Sequence, residues 1–387
     1  MRHFVRIAVV LTVACALAPP ALAEAGELHA AIDAAAKAVE DDVVKWRRDI
    51  HQYPELSNQE FRTAGVVEKH LKSLGIPVQI EIAGTGVVGV LEGGKPGPVV
   101  ALRADMDALP VKELVHLPFK SEVTAVYNDQ EVGVMHACGH DNHVAILMGA
   151  ATVLAGMRED IPGTIKFIFQ PAEEDVGGAN KMVEEGVLDA PDVDAIFGLH
   201  VTQGWSVGEV GVRPAGIMAA ADYFRIDIKG SQTHAAQPWA GVDPIVVGSQ
   251  IVMALQTIVS RQVDVTLAPA VVTVGRFDGG VRNNIIPDSA WMEGTIRTFD
   301  TQMRDSIHAR IRRTAESIAA SAGAEAIVDI RKGTPVTYND PELTRSMMTS
   351  LQRIVGNNVQ EAPRVTGAED FAYFQERVPG MYFFLGV

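Results

Sequence analysis

Short apolar runs rich in β-branched residues recur between residues 87 and 199, with helical segments separating several of them. Residues 87–91, 99–102, 165–169 and 195–199 are such runs, each bounded by Gly, Pro or Asp. Their length and composition predict buried strands. Residues 144–154 read as a helix between the second and third. Upstream, Ile32, Ala36, Val39, Val43, Trp46 and Ile50 fall at three- and four-residue steps on one helical face, and residues 66–74 repeat that pattern up to Gly75. The alternation predicts an α/β sheet with helices on its faces.

From about residue 213 the pattern changes. Strands are predicted at 223–228, 270–277, 291–299 and 326–330, and helices from the Asp243-Pro244 cap to about 259 and over 302–320. The order βαββαβ is that of a ferredoxin-like α+β sandwich. A chain of 387 residues is long enough for two or three units at roughly 150 residues each. The reading is therefore a first unit over 24–212, an inserted unit over 213–332 and a return to the first over 333–387.

Residues 1–23 carry early positive charge, an apolar run from Ile7 to Leu17 and a small-x-small ending before Glu24. This predicts a cleaved signal peptide, and hence an exported, periplasmic or secreted protein. The apolar run is shorter than the roughly 18 residues that span a bilayer. A formal charge of −15 offers no basic field for phosphate backbones, which argues against nucleic acid as a partner. Removing the leader also removes Cys15, so Cys138 is left as a lone thiol in an oxidising compartment and needs a reason to be there.

Four polar clusters supply one, three of them at the carboxyl ends of predicted strands, where open α/β sheets place ligands. They are Arg103-Ala-Asp105-Met-Asp107, the segment His136-Ala-Cys138-Gly-His140-Asp-Asn-His143, the pair Glu173-Glu174, and His200. Thiolate, imidazole and carboxylate are donors for a borderline-soft divalent ion, and Cys138 and His140 can reach the same one. A single His would more often cap a helix, but burying the whole set without a shared partner would be costly. Adjacent Glu173 and Glu174 cannot make identical contacts. One can hold metal while the other activates water, unless the pair is merely a solvated acidic loop with Asp175.

The strings ALRADMDALP, HACGHDNH, FQPAEEDVGGANKM, GLH, THAAQPWAGVDP, NNIIPD, GTIRTF and TGAEDFAYF resemble the M20 metallopeptidase family over nearly the whole mature chain. They are most similar to its amidohydrolase branch of aminoacylases, hippurate hydrolases and auxin-conjugate hydrolases. The resemblance implies a catalytic unit with a mixed central sheet flanked by helices, an inserted lid and dimerisation unit, and two divalent ions, zinc or manganese with cobalt or nickel as further possibilities. It places Cys138, His140, Glu174 and His200 on metal-ligand positions, Glu173 on the general base and Asp107 on an acid that orients a ligand. It places His234 on a residue that reaches the reacting carbonyl, often from the partner subunit, and Asn284 and Arg297 on the substrate-carboxylate side.

The implied activity is hydrolysis of N-acyl amino acids or small peptides with a free carboxylate by a homodimer. The family also carries a metal-ligand His some tens of residues beyond GAEDF. Here the last histidine is His308 and the sequence as given stops at Val387, so that ligand is expected beyond Val387 or is absent. His143, three residues after His140, is expected to cap or pack. Two other readings remain: a cysteine hydrolase with Cys138 as nucleophile and His140 or His136 as base, and a non-catalytic periplasmic binding protein with an incomplete metal site.

Overall fold

The computed structural model describes residues 20–175 and 177–387. Up to residue 19, the expected leader lies outside the described residues. The apolar runs assemble into an eight-stranded sheet. Its order is Val78–Ile82, Gly86–Glu92, Pro162–Gln170, Lys95–Asp105, Ala195–Thr202, Gly380–Gly386, Val210–Val212 and Val359–Glu361. The four central strands run parallel, and antiparallel pairings flank them on both sides, so the sheet is mixed. Helices Phe61–Ser73 and His140–Gly156 bury Val67, Leu71, Val144, Leu147 and Met148 against Val87, Leu91, Phe167 and Phe169 on one face. On the other face Phe371, Phe374 and Tyr382 pack with Ile168 and Ile196. Because the central strands are parallel, Asp105, Gln170 and Thr202 all end on one edge, and the polar clusters converge there.

Several boundaries differ from the sequence reading. The first helix runs over Pro20–Gln52, and helix His140–Gly156 starts four residues before the apolar stretch that signalled it. The Ala195–Thr202 strand continues past His200, so this imidazole projects from within a strand. The helix opened by Asp243 ends at Thr257 and passes into a π-turn over Ile258–Gln262.

Ala220–Lys229, Ala270–Gly279, Ser289–Thr298 and Glu325–Arg331 form a separate four-stranded antiparallel sheet. Helices Pro244–Thr257 and Thr301–Ser321 pack on it through Val247, Ile251, Leu255, Ile307 and Ile311. The two chain crossings into this unit are tied together. The Ala221 N–H donates to Thr334 O at 3.0 Å, and the Gly333 N–H donates to Asp222 Oδ1 at 2.9 Å. Arg304 and His308, both on helix Thr301–Ser321, also meet the Asp222 carboxylate.

Burial alone would raise the Asp222 carboxyl, but hydrogen bonds from Arg304, His308 and the Gly333 N–H outweigh it and hold Asp222 well below the usual carboxylate range. A folded value below the roughly 3.9 of a free Asp means the stabilisation is present above that pH and is lost as pH falls toward the folded value. Asp222→Ala leaves Arg304 buried and unpaired, a loss expected to cost about 3–5 kcal/mol. Denaturant titration at pH 7 and pH 3 tests both statements: the deficit of the variant should shrink at the lower pH.

Candidate metal centre

Gly139 sets the geometry of the Cys-x-His segment. It adopts φ +101°, and a Cβ there would lie 2.5 Å from Val201 Cγ2, so only glycine lets the loop pass the His200 strand and enter helix His140–Gly156. Cys138 and His140 thereby flank the same point. The Cys138 Sγ lies 3.3 Å from His200 Nε2, while His200 Nδ1 donates to the Val201 carbonyl at 2.5 Å. The ligand atoms of Cys138, His140 and His200 all fall within 4.8 Å of one another, as do those of His140, Glu173 and Glu174. The two triads share His140.

Asp107 fixes the His140 ring. Its Oδ1 lies 3.2 Å from His140 Nδ1, and its Oδ2 accepts from the Ser57 hydroxyl at 2.6 Å and the Glu174 N–H at 3.0 Å. With Nδ1 donating, the lone pair of His140 sits on Nε2, the arrangement that serves a metal ligand. That buried Nε2 has no hydrogen-bond partner, and neither has the buried Glu174 Oε1. Orphaned acceptors beside a thiol and an imidazole fit a cation, which would satisfy them together. Burial opposes charging His140, yet Asp105 and Asp107 draw a proton to it well above the ordinary imidazole range, as expected of a field that attracts cations.

His143 lies within 4.8 Å of Asp105 and His140, close enough to join them on a cation, but its ring is committed elsewhere. Its Nδ1 lies 2.5 Å from Asp105 Oδ1 and its Nε2 accepts from the Val201 N–H at 3.0 Å, so both nitrogens are engaged. It is a strut between two strands.

Behind the donors lies a charge cluster that the sequence reading left unassigned. Buried Arg103 bonds Asp105 at 2.7 Å, Glu369 at 2.9 Å and Asp370 at 3.0 Å. The Tyr382 hydroxyl donates to Glu369 Oε2 at 2.6 Å, and Gln170 Nε2 donates to Asp370. Glu173 lies within 4.8 Å of Glu369 and Asp370 as well as of His140. Burial, reinforced by those two carboxylates, raises its proton affinity well above that of an ordinary Glu. A signal was present in the sequence, since Arg103 and Asp105 interrupt an otherwise apolar strand and could not be buried there unpaired.

His234 is exposed in the two-residue strand Thr233–His234, paired with Ile285–Ile286, and the Ala235 N–H donates to Asn284 O at 3.1 Å. His234 and Asn284 are therefore neighbours on the inserted unit. Arg297 is half-buried on strand Ser289–Thr298. Among the described residues His234 joins none of the metal-donor groups.

A nucleophilic role for Cys138 finds no support here. Burial, with the Glu174 carboxylate adding to it, pushes the thiol up to about 11, the reverse of an activated cysteine. His136 is buried with both ring nitrogens unpartnered and is lowered to about 4 by burial.

A mixed sheet that gathers a thiol, two imidazoles and paired carboxylates at its carboxyl edge defines a metal-dependent hydrolase with places for two divalent ions. The chain belongs to peptidase family M20/M25/M40, whose model matches residues 101–387. It is 42% identical over 348 residues to the N-acetyl-L-cysteine deacetylase of Bacillus subtilis strain 168, covering 90% of this chain and 81% of that one. It is 43% identical over 354 residues to thermostable carboxypeptidase 2 of Saccharolobus solfataricus, covering 90% and 87%. The Bacillus subtilis YxeP protein, a dinuclear metal-binding peptidase of the M20 family, superposes with a TM-score of 0.79 at 39% identity, covering 90% of this chain and 89% of that one. These relatives and the donor geometry make the chain a metal-dependent amide hydrolase and lend nothing to a non-catalytic reading.

Proposed function

We propose that this enzyme hydrolyses the amide bond of N-acyl amino acids, or of small peptides with a free carboxylate, using Glu173 as general base and Cys138, His140, Glu174 and His200 as metal ligands. One observation carries the assignment. Of two adjacent glutamates, Glu174 faces the Cys138 thiol and His140 and keeps one oxygen orphaned, while Glu173 sits between His140 and the Glu369–Asp370 pair with a raised proton affinity. A group that takes a proton at one step and returns it at the next works best with a pKa moved up toward neutrality.

Bound zinc or manganese, with cobalt or nickel as substitutes, would polarise the amide carbonyl and lower the pKa of water. Glu173 then accepts the proton of the attacking water and delivers it to the departing amine. Asp107 keeps the His140 tautomer fixed throughout. His234, contributed by a partner subunit, donates to the developing oxyanion, and Arg297 and Asn284 hold the substrate carboxylate. The names of the deacetylase and carboxypeptidase relatives support this substrate class.

Homodimerisation through the inserted unit is supported by its surface. Helix Pro244–Thr257 buries one apolar face yet exposes Val246 and Met253, and the neighbouring edge strand exposes Val271 and Phe277. Apolar side chains left exposed on a packed helix and on the edge strand beside it call for a second cover. Light scattering that finds only single-chain mass would contradict this. Export is supported by the leader-like composition of residues 1–23, and N-terminal sequencing of the secreted or periplasmic protein should read from Glu24.

Substrate recognition is tested with an N-benzoyl amino acid and its methyl ester. Arg297→Ala should raise KM for the free acid at least about 10-fold with kcat little changed, since uniform binding is what is removed. Equal kcat/KM for acid and ester in the unaltered enzyme would refute the carboxylate requirement.

A further inference from the structure

Ala172, immediately before the two working glutamates, is buried and has φ +52°. An alanine held in the left-handed region persists only where its surroundings impose it. Here the imposing group comes from far away in sequence. Glu60 is fully buried, and its Oε1 accepts from the Ala172 N–H at 2.9 Å and the Asn58 N–H at 3.0 Å, while its Oε2 accepts from the Thr85 hydroxyl at 2.6 Å.

Glu60 directly precedes helix Phe61–Ser73, where a carboxylate ordinarily caps the free N–H groups, yet its side chain makes no cap bond. Glu55 takes that task, accepting from the Arg62 and Thr63 N–H groups at 2.8 Å each. The Glu60 carboxylate is thus left to the Ala172 turn. Two residues further on, the Glu174 N–H is held by Asp107, which the neighbouring Ser57 also bonds. The 55–60 loop therefore holds the turn directly before Glu173, through Glu60, and indirectly after it, through the Ser57 bond to Asp107.

We infer that Glu60 is a positioning residue, whose carboxylate fixes the left-handed Ala172 peptide and so sends Glu173 and Glu174 in different directions, one to the Glu369–Asp370 pair and the other to Cys138 and His140. This rests on the reading of Glu174 as ligand and Glu173 as base. The requirement is reach and acceptor geometry rather than charge. Gln at 60 keeps an oxygen for the Ala172 N–H and can donate its amide to the Thr85 oxygen, whereas Asp falls short by one C–C bond, about 1.5 Å.

The test compares Glu60→Gln and Glu60→Asp with the unaltered enzyme by zinc affinity from chelator competition without substrate, and by kcat and KM on an N-acyl amino acid. Glu60→Asp should weaken zinc binding about 10-fold and lower kcat about 10- to 100-fold with KM within about threefold. Glu60→Gln should stay within about threefold on every measure. Glu60→Asp matching the unaltered enzyme in zinc affinity and kcat, or Glu60→Gln falling as far as Glu60→Asp, would overturn the inference. Should Glu60→Asp lose its native circular dichroism, Ala172→Val carries the test, since it strains the same peptide and leaves Glu60 intact. Weakened zinc and lower kcat there support the inference, and unchanged values overturn it. If the unaltered protein binds zinc yet turns over no N-acyl amino acid, the functional reading fails on its own, and the zinc affinities still decide the role of Glu60.

Discussion

Glu173→Gln should lower kcat by about 10²- to 10⁴-fold while the bound metal per chain stays unchanged. The substitution preserves shape and removes only the ability to take a proton. Glu173 lies among Glu369, Asp370 and His140, and buried carboxylates at such distances cannot all ionise freely. Neutralising one of them relieves repulsion, so the fold should tolerate the change or gain from it. The split between intact metal content and lost turnover separates a base from a ligand. Glu174→Gln should behave differently, because its carboxylate groups with His140 and faces the Cys138 thiol, with Oε1 orphaned, and it should lose metal along with activity. Turnover of Glu173→Gln near that of the unaltered enzyme would remove the base assignment.

Metal removal is expected to abolish turnover and to soften the fold. Asp105, Glu369 and Asp370 all bond the one guanidinium of Arg103, and Asp107, Glu173 and Glu174 add further carboxylates on the same sheet edge. Acidic groups outnumber cationic ones there, so bound cations stabilise the folded state. A ligand held at a thousand times its Kd contributes about 4 kcal/mol of stability per site. Thermal melts with and without a chelator should therefore separate clearly, with activity returning on readdition of zinc or manganese. Superimposable melts together with chelator-insensitive turnover would contradict the metal reading and reopen a thiol mechanism at Cys138.

Much of this site was legible in the sequence because its donors lie in short segments next to strands that announce themselves. Residues 138–140 bring two candidate donors, and 173–174 a candidate donor and a candidate base, within a few positions, and parallel strands carry them to a common edge. The charge cluster behind them was not legible in the same way. Arg103 meets Glu369 across 266 positions, after the chain has left for the four-stranded unit and returned. No local pattern encodes that meeting, and only the buried Arg103 and Asp105 in an apolar strand hinted at it. His143 shows a related limit. Its spacing from His140 suits either a ligand or a strut, and only the bonds to Asp105 and the Val201 N–H decide for the strut. Glu60 reads as an ordinary helix-start residue until Ala172 is seen beside it.

Elemental analysis after equilibrium dialysis against zinc or manganese bears most directly on the central claim that these side chains converge on cations. Two ions per chain in the unaltered protein, falling in His140→Ala because His140 groups with Cys138 and His200 on one side and with Glu174 on the other, is the expected result. A protein that retains no divalent ion under any loading condition, or a His140→Ala variant that binds as many ions as its parent, would contradict it.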